Sequence, residues 1–574
     1  MSDTHTGETD SQLTLIEGDG IDKREPPTPY QLVESGAVNR RTVKWLSLLG
    51  VDLSEKISMA GMFEGFTSLG HLSLEGLDTS TIKDMQRGFK DCRKLEMVDL
   101  TGLDTSHVMS MHGLFKNCML LESLRGFDGL DLTRVEDMSE LFYACRSLDE
   151  RDLPRRGLDI PLARNLSRMF YGCSTLTWID YSELKAPQVE TMAEMFAKCR
   201  KLEEANFSGL DLSSVLDLSG MFRECRSLRS LTFAGTDLSG AQNLSGMFEG
   251  CKALEALDLA SLGLSQARDL SAMFRRCDGL RSFSLAGVSL PCANDLSRMF
   301  EQCAGLRAVD MSGAGLSEAR DLSRMFAGCT ALTSVKLSGL DISQVRDISG
   351  MFEGCTSLET IDLSGVDFSQ VRNLSGMFRN CTALREVSLA GMSFPQATDL
   401  SDMFAGCGAL ESIDLTGVSL PQAENLSKMF FGCWGLREIS LSGLNLPRAT
   451  DMSSMFEGCA GLEFANLTGL QAPRVRTIAN MFSCCCYLRS VPVSGACYEH
   501  VENVSYAFDC CRNLTTAEFL QLELPQARNL VRMYGGCHTL TSVDLSGRSF
   551  PQATDFSAMF NLCKSLETVN LSGV

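Results

Sequence analysis

The chain has 574 residues, a net charge of −20 at pH 7, a hydrophobic fraction of 44% and 24 cysteines. That length exceeds a single globular core, and so acidic a surface argues against a nucleic-acid partner, whose phosphates want a basic face. No apolar run reaches the roughly 18 residues that a membrane-spanning helix needs, so no span is expected.

Residues 1–30 are rich in Thr, Asp, Glu, Gly and Pro, with Pro26-Pro27 and Pro29, and read as a disordered N-terminal tail. The stretch from Met1 to Glu25 lacks the apolar core of an export signal. Residues 31–55 contain Arg40-Arg41-Thr42-Val43-Lys44-Trp45-Leu46-Ser47-Leu48-Leu49, which reads as a short amphipathic helix. Its expected job is an N-terminal cap, with Trp45 packed over the first coil of a repeat array.

Residues 56–574 repeat one phrase. A copy runs Met351-Phe352-Glu353-Gly354-Cys355-Thr356-Ser357-Leu358, then Ile361-Asp362-Leu363, then Ser-Gly and a polar return. From Cys173 to Cys563 an in-phase cysteine recurs every 26 residues. Phe66 fills the first such slot and Cys92, Cys118 and Cys145 the next three, with spacings of 27 and 28 on either side of Cys145. The extra residues near Arg151-Asp152-Leu153-Pro154-Arg155-Arg156 are expected to bulge from one face. About twenty units result, and a fixed period in this range is the mark of a solenoid. Leu stands three residues after every slot; Phe stands three before it, except at Tyr534. Cysteines on such an apolar seam read as buried free thiols, not as a disulfide framework.

One unit, Cys433 to Cys459, shows the expected coil. Leu436, Ile439 and Leu441 alternate with polar residues, as in a strand with one buried face. Gly443 turns the chain, Leu444 and Leu446 re-enter the core, and Pro447 stiffens a corner before Ala449. Asp451 is placed to cap a short helix or 3-10 turn carrying Met455 and Phe456. The fold class implied is an α/β repeat: a leucine-rich-repeat-type solenoid with a parallel sheet on one side and short helical turns on the other.

Phrases such as Asp362-Leu363-Ser364-Gly365 and Asn373-Leu374-Ser375-Gly376-Met377-Phe378-Arg379-Asn380-Cys381 resemble the BspA-type leucine-rich-repeat surface proteins of bacteria, with their DUF285-type repeat. The resemblance spans roughly residues 55–574. It implies a curved solenoid and a cell-surface or secreted role in adhesion, with a protein or surface ligand as partner. An intracellular (cytoplasmic) repeat scaffold, or a structural rod with no ligand, are the alternatives.

Residues 26 apart should stack on adjacent coils, about 4.8 Å apart. Four residues after the slot this sets Arg229, Glu255 and Arg281, then Glu359, Arg385, Glu411, Arg437 and Glu463, in a ladder of alternating sign. It is either a structural ladder of ion pairs or a recognition face. Arg320, Arg346 and Arg372 form a second column, either a basic patch for an acidic partner or a solvated edge. Cys484 and Cys510, 26 apart, are a candidate disulfide or two free thiols. No zinc-ligand spacing, calcium loop, phosphate-binding glycine motif or Ser–His–Asp arrangement stands out, so no metal, cofactor or catalytic residue is expected. Carbohydrate binding is the weaker reading, because most of the 31 Phe fill the core slot.

Overall fold

The computed structural model describes residues 39–48, 53–153, 158–257, 259 and 262–572, with the backbone alone at Trp45, Ser47 and Asp152. The expected tail, the side chain of Trp45 and Pro154-Arg155-Arg156 lie outside the described residues. The chain divides into two compact units, Met1–Ala267 and Arg268–Val574.

Each unit is a parallel β-solenoid of coils with three-residue strands. In the first, β1 (Trp45–Ser47), β2 (His71–Ser73), β3 (Met97–Asp99) and β4 (Ser123–Arg125) form one sheet in chain order. A second sheet joins β5 (Trp178–Asp180), β6 (Glu204–Asn206) and β7 (Ser230–Thr232). In the second unit β8 (Ser282–Ser284), β9 (Ala308–Asp310) and β10 (Ser334–Lys336) form one sheet. Three strand pairs come next: β11 (Glu386–Ser388) with β12 (Ser412–Asp414), β13 (Glu438–Ser440) with β14 (Phe464–Asn466), and β15 (Ser542–Asp544) with β16 (Thr568–Asn570). Register is one period wherever spacing is regular, as in Ile439 opposite Ala465. The strand face is not the sole line of pairing. A second line of parallel bridges runs through the Asp/Asn column, Asp321 to Asp347 to Asn373, and a third through Asn445, Gln471 and Cys497.

The helical cap expected over residues 31–55 is not what the described part shows. Trp45–Ser47 is β1, paired with β2. Leu46 and Leu48 are both buried, a two-residue period that suits a strand edge added to the first coil. The extra residues after Cys145 make a 3-10 turn at Glu150–Asp152.

The helical turns expected on the other side are likewise replaced, and among the described residues there is no α-helix. Two residues per coil take positive φ in the Met-Phe stretch, such as Gly350 (59°) and Gly354 (71°). They split the segment into successive turns. Met351 N–H and Glu353 N–H bond three residues back, to Ile348 and Gly350 carbonyls. The alternate amides of Gly350, Phe352 and Gly354 donate instead to Ser375, Met377 and Arg379 of the next coil. Half the amides that a helix would use internally therefore bind the coils together. Asp451 does accept an amide, from Ser453 at 2.8 Å, but it closes a two-residue turn, not a helix.

Between these lines runs the core. Phe352, Cys355 and Leu358 are fully buried. Phe404, Phe430 and Phe456 stack with ring centroids 5.4 Å apart. Each thiol is more than a filler: Cys355 Sγ donates to the Phe326 carbonyl of the preceding coil at 3.2 Å, and Cys381 to Phe352 at 3.0 Å.

Candidate functional site

The positions just after each slot leave the core and form an exposed edge beside the strands. In the second unit, backbone bonds align the expected charge ladder: Arg385 N–H donates to Glu359, Glu411 to Arg385, Arg437 to Glu411 and Glu463 to Arg437. Arg229 and Glu255 lie in the first unit and Arg281 in the second. All of these side chains are exposed except Glu463, which is half-buried. Glu463 lies 3.9 Å from Arg437 and 3.5 Å from Arg489. Among the described residues, Arg229, Glu255, Arg281, Glu359, Arg385 and Glu411 form no ion pair. Solvated charges of this kind add little to stability, which leaves them available to a partner.

Aromatic side chains interrupt this edge. Trp434 is 61% exposed, Tyr487 59% and Phe464 40%. They occupy positions one, two and five after the slots of three successive coils. The Trp434 indole lies against Gly408: a Cβ there would fall 2.0 Å from the indole Nε1. The Gly461 N–H donates to the Trp434 carbonyl at 3.1 Å, which fixes the indole's backbone. Large apolar side chains held in water among charges are the anatomy of a protein-binding patch. Sequence reading missed them, although each is an aromatic out of phase with the Phe column.

The second column is in place. Arg346 N–H donates to Arg320 and Arg372 N–H to Arg346, at 2.9 and 2.8 Å, and all three side chains are exposed. Nearby Arg324 is already engaged, 2.9 Å from Glu301 and 2.5 Å from Glu353. Cys484 and Cys510 are free thiols on adjacent coils. Cys484 is exposed, and the half-buried Cys510 has its thiol pushed up by burial first, then by Asp509 and Cys484.

Ion pairing concentrates instead on the Met-Phe side. Lys90 meets Glu64 at 2.6 Å, Arg168 meets Glu194 at 2.6 Å, Arg223 also reaches Glu194, and Lys116 reaches Glu140. In the second unit the buried Glu301 carboxylate is clamped by Arg275 at 2.8 Å and by Arg324. His112 Nδ1 lies 2.7 Å from Ser139 Oγ, and its Nε2 is 3.8 Å from Glu140. Ser139 is buried, and Glu140 is taken up by Lys116 and Arg168, so these groups read as one ionic network and not as a nucleophile with its base. Among the described residues no group of three His, Cys, Asp or Glu could hold a metal. No helix is long and apolar enough to cross a membrane among them.

The model of a family described as "Mycoplasma protein of unknown function, DUF285" matches residues 40–155, 164–284, 294–417 and 398–516. The chain belongs to this family. The DUF285 chain is similar to a leucine-rich repeat protein from Bacteroides ovatus, 18% identical, covering 72% of this chain and 82% of that one at a TM-score of 0.42. It is also similar to a leucine rich cell surface protein from Faecalibacterium prausnitzii, 17% identical, covering 60% of this chain and 79% of that one at a TM-score of 0.31. Comparison with curated proteins gives no match. The family match covers the repeats that carry the BspA-type resemblance, and its description names no enzyme.

Proposed function

We propose that this DUF285 chain is a non-enzymatic binding protein and that a protein partner docks on the edge carrying Trp434, Arg437, Glu463, Phe464 and Tyr487. The observation that carries the reading is Trp434, 61% exposed and lying against Gly408, with its carbonyl bonded to the Gly461 amide. A rigid aromatic platform loses little entropy on binding, and flanking charges set the register of the partner. Arg320, Arg346 and Arg372 extend the same logic to an acidic segment of that partner. Displayed outside a cell, such a face would serve adhesion.

A photo-reactive phenylalanine analogue placed at Trp434 in the full chain should cross-link to one discrete protein partner from intact host or bacterial cells. The affinity of that purified partner should fall about 30-fold or more for Trp434→Ala/Tyr487→Ala, the scale of an interface hot spot. Cross-links scattered over many proteins, or an unchanged affinity in the double variant, would remove this edge from the account.

A further inference from the structure

The first unit carries a groove of a different chemistry. Its volume is about 530 Å³, and it is lined by Asn117, Tyr143, Arg146, Tyr171, Lys198 and Arg200 with Gly172 and Ser174 between them. Tyr143 and Tyr171 stack on successive coils, centroids 4.6 Å apart and planes 1° from parallel. The Lys116 ammonium covers the outer face of Tyr143 at 4.8 Å, and Lys198 that of Tyr171 at 4.9 Å. No carboxylate lines this groove. Among the described residues, Arg146, Lys198 and Arg200 meet no carboxylate at all, and neither phenol has a hydrogen-bond partner. In a chain of net charge −20 that is a concentration of unanswered donors.

The coil between the two arginines is the small one. Gly172 and Ser174 stand where the coils on either side carry Ala144 with Arg146 and Lys198 with Arg200. The two guanidinium groups therefore flank a notch, their coils roughly 10 Å apart at two coil rises. The Ser174 hydroxyl, which also lines it, donates to the Arg146 carbonyl at 3.4 Å and keeps its lone pairs for a ligand hydroxyl. Burial raises the Tyr143 phenol, with Tyr171 the next cause, so it stays protonated and a donor.

We propose that this groove binds a sugar carrying a sulfate or phosphate monoester, the oxyanion held in the notch by Arg146, Arg200 and Lys198 and the sugar hydroxyls met by Tyr143, Tyr171 and Ser174. Guanidinium forks suit a tetrahedral oxyanion. The volume suits a ligand of one or two rings. Both outer faces of the tyrosine pair are covered by ammonium groups, so no ring face is open to stack a nucleobase. No strand edge or deep apolar pocket lines the groove to take a peptide. The groove belongs to the first unit and the Trp434 edge to the second, and the assignment does not rest on that edge.

The test is calorimetric titration of the full chain with N-acetylglucosamine 6-sulfate, glucosamine 6-phosphate, the two parent sugars, inorganic sulfate and a phosphotyrosine peptide. One or both esters should bind, and which of them is the tighter identifies the source of the oxyanion. The parent sugars and inorganic sulfate should bind at least about tenfold more weakly, since each lacks half of the contacts. Arg146→Gln/Arg200→Gln and, separately, Tyr143→Phe/Tyr171→Phe should each lose about tenfold or more in affinity with unchanged melting, while Trp434→Ala should not matter. If the arginine variant fails to fold, Lys198→Gln alone serves. No binding of either ester, binding indifferent to these variants, sulfate alone binding as well as the ester, or tighter binding of the phosphopeptide would each overturn the assignment.

Discussion

A column of cysteines could be mere packing, but each Sγ also points its hydrogen at a carbonyl one coil back. The Phe326 carbonyl that receives Cys355 already accepts the Cys329 amide at 3.1 Å, so losing the thiol does not orphan it. Cys355→Ala should accordingly cost only about 1–2 kcal/mol in urea unfolding, mostly lost packing and one weak bond. Glu301 is the opposite case. It is 4% exposed, and two arginines pair with it. Glu301→Ala should cost about 2 kcal/mol, because Arg275 loses a close charged partner while Arg324 keeps Glu353. The thiols themselves should be silent in the folded chain: of 24 cysteines eighteen are buried, five half-buried and Cys484 exposed. Burial pushes Cys92, Cys199, Cys381 and Cys459 up to about 12, so almost no thiolate exists near neutrality. Maleimide labelling should reach Cys484 first and the eighteen only after denaturation. Mild oxidation should join Cys484 to Cys510, and peptide mapping would show whether it does; an unlinked pair ends that proposal.

At the scale of the element, the strand was legible and the turn was not. Leu436, Ile439 and Leu441 alternate in sequence and fall on β13 and its flanks, all buried. Met455, Phe456 and Cys459 also bury together, as a helical spacing would have them. Spacing alone cannot say where the amides go, however, and here half of them go to the next coil. Gly350 and Gly354 hinted at this by their tolerance of positive φ, but Glu194 and Lys198 hold the same conformation at the same places with no such hint. The ion pairs at Glu140 and Glu194 in the first unit and at Glu301 in the second were hidden for a related reason. Their residues change from coil to coil and pair along diagonals that only the coil geometry reveals. Gly354→Ala should cost about 1–2 kcal/mol, because a left-handed alanine is strained even where space is open. Space is open here, since the nearest atoms to the added methyl are 3.7 Å away. Thermal melting of that variant beside the parent chain would therefore read the backbone strain alone.

For the molecule as a whole, acid is the informative perturbation. Asp310 is drawn down to about 2 by the Ser312 hydroxyl first, then by the Ser312 amide and Lys336. Asp99, Asp211, Asp362 and Asp414 are lowered by the same two-residue turn. Because the folded values lie below the ordinary 3.8, these groups stabilise the fold above that value. Their contribution disappears as pH falls through the folded values. Melting temperature in high salt, which screens the net charge of −20, should hold steady above pH about 5 and drop between about 4 and 2. A flat profile across that window would show the turns to be irrelevant to stability. The repeat architecture was readable throughout from the 26-residue period, whereas the division at Ala267 was not, since the period runs through it unbroken.

From Phe300 to Phe508 in the second unit, each phenylalanine ring sits on its counterpart at nearly the same separation, 5.5 Å from Phe300 to Phe326 and 5.3 Å from Phe482 to Phe508. Such sameness makes neighbouring coils interchangeable during assembly. A chain that skips one coil and docks on the next still finds a ring, a thiol and a carbonyl waiting, so the wrong partner is penalised weakly. Refolding should therefore be slow and heterogeneous, with slipped species that must unzip before correcting themselves. The irregular places, Tyr534 in the ring column and Gly408 beneath Trp434, are then the marks by which the chain finds its count.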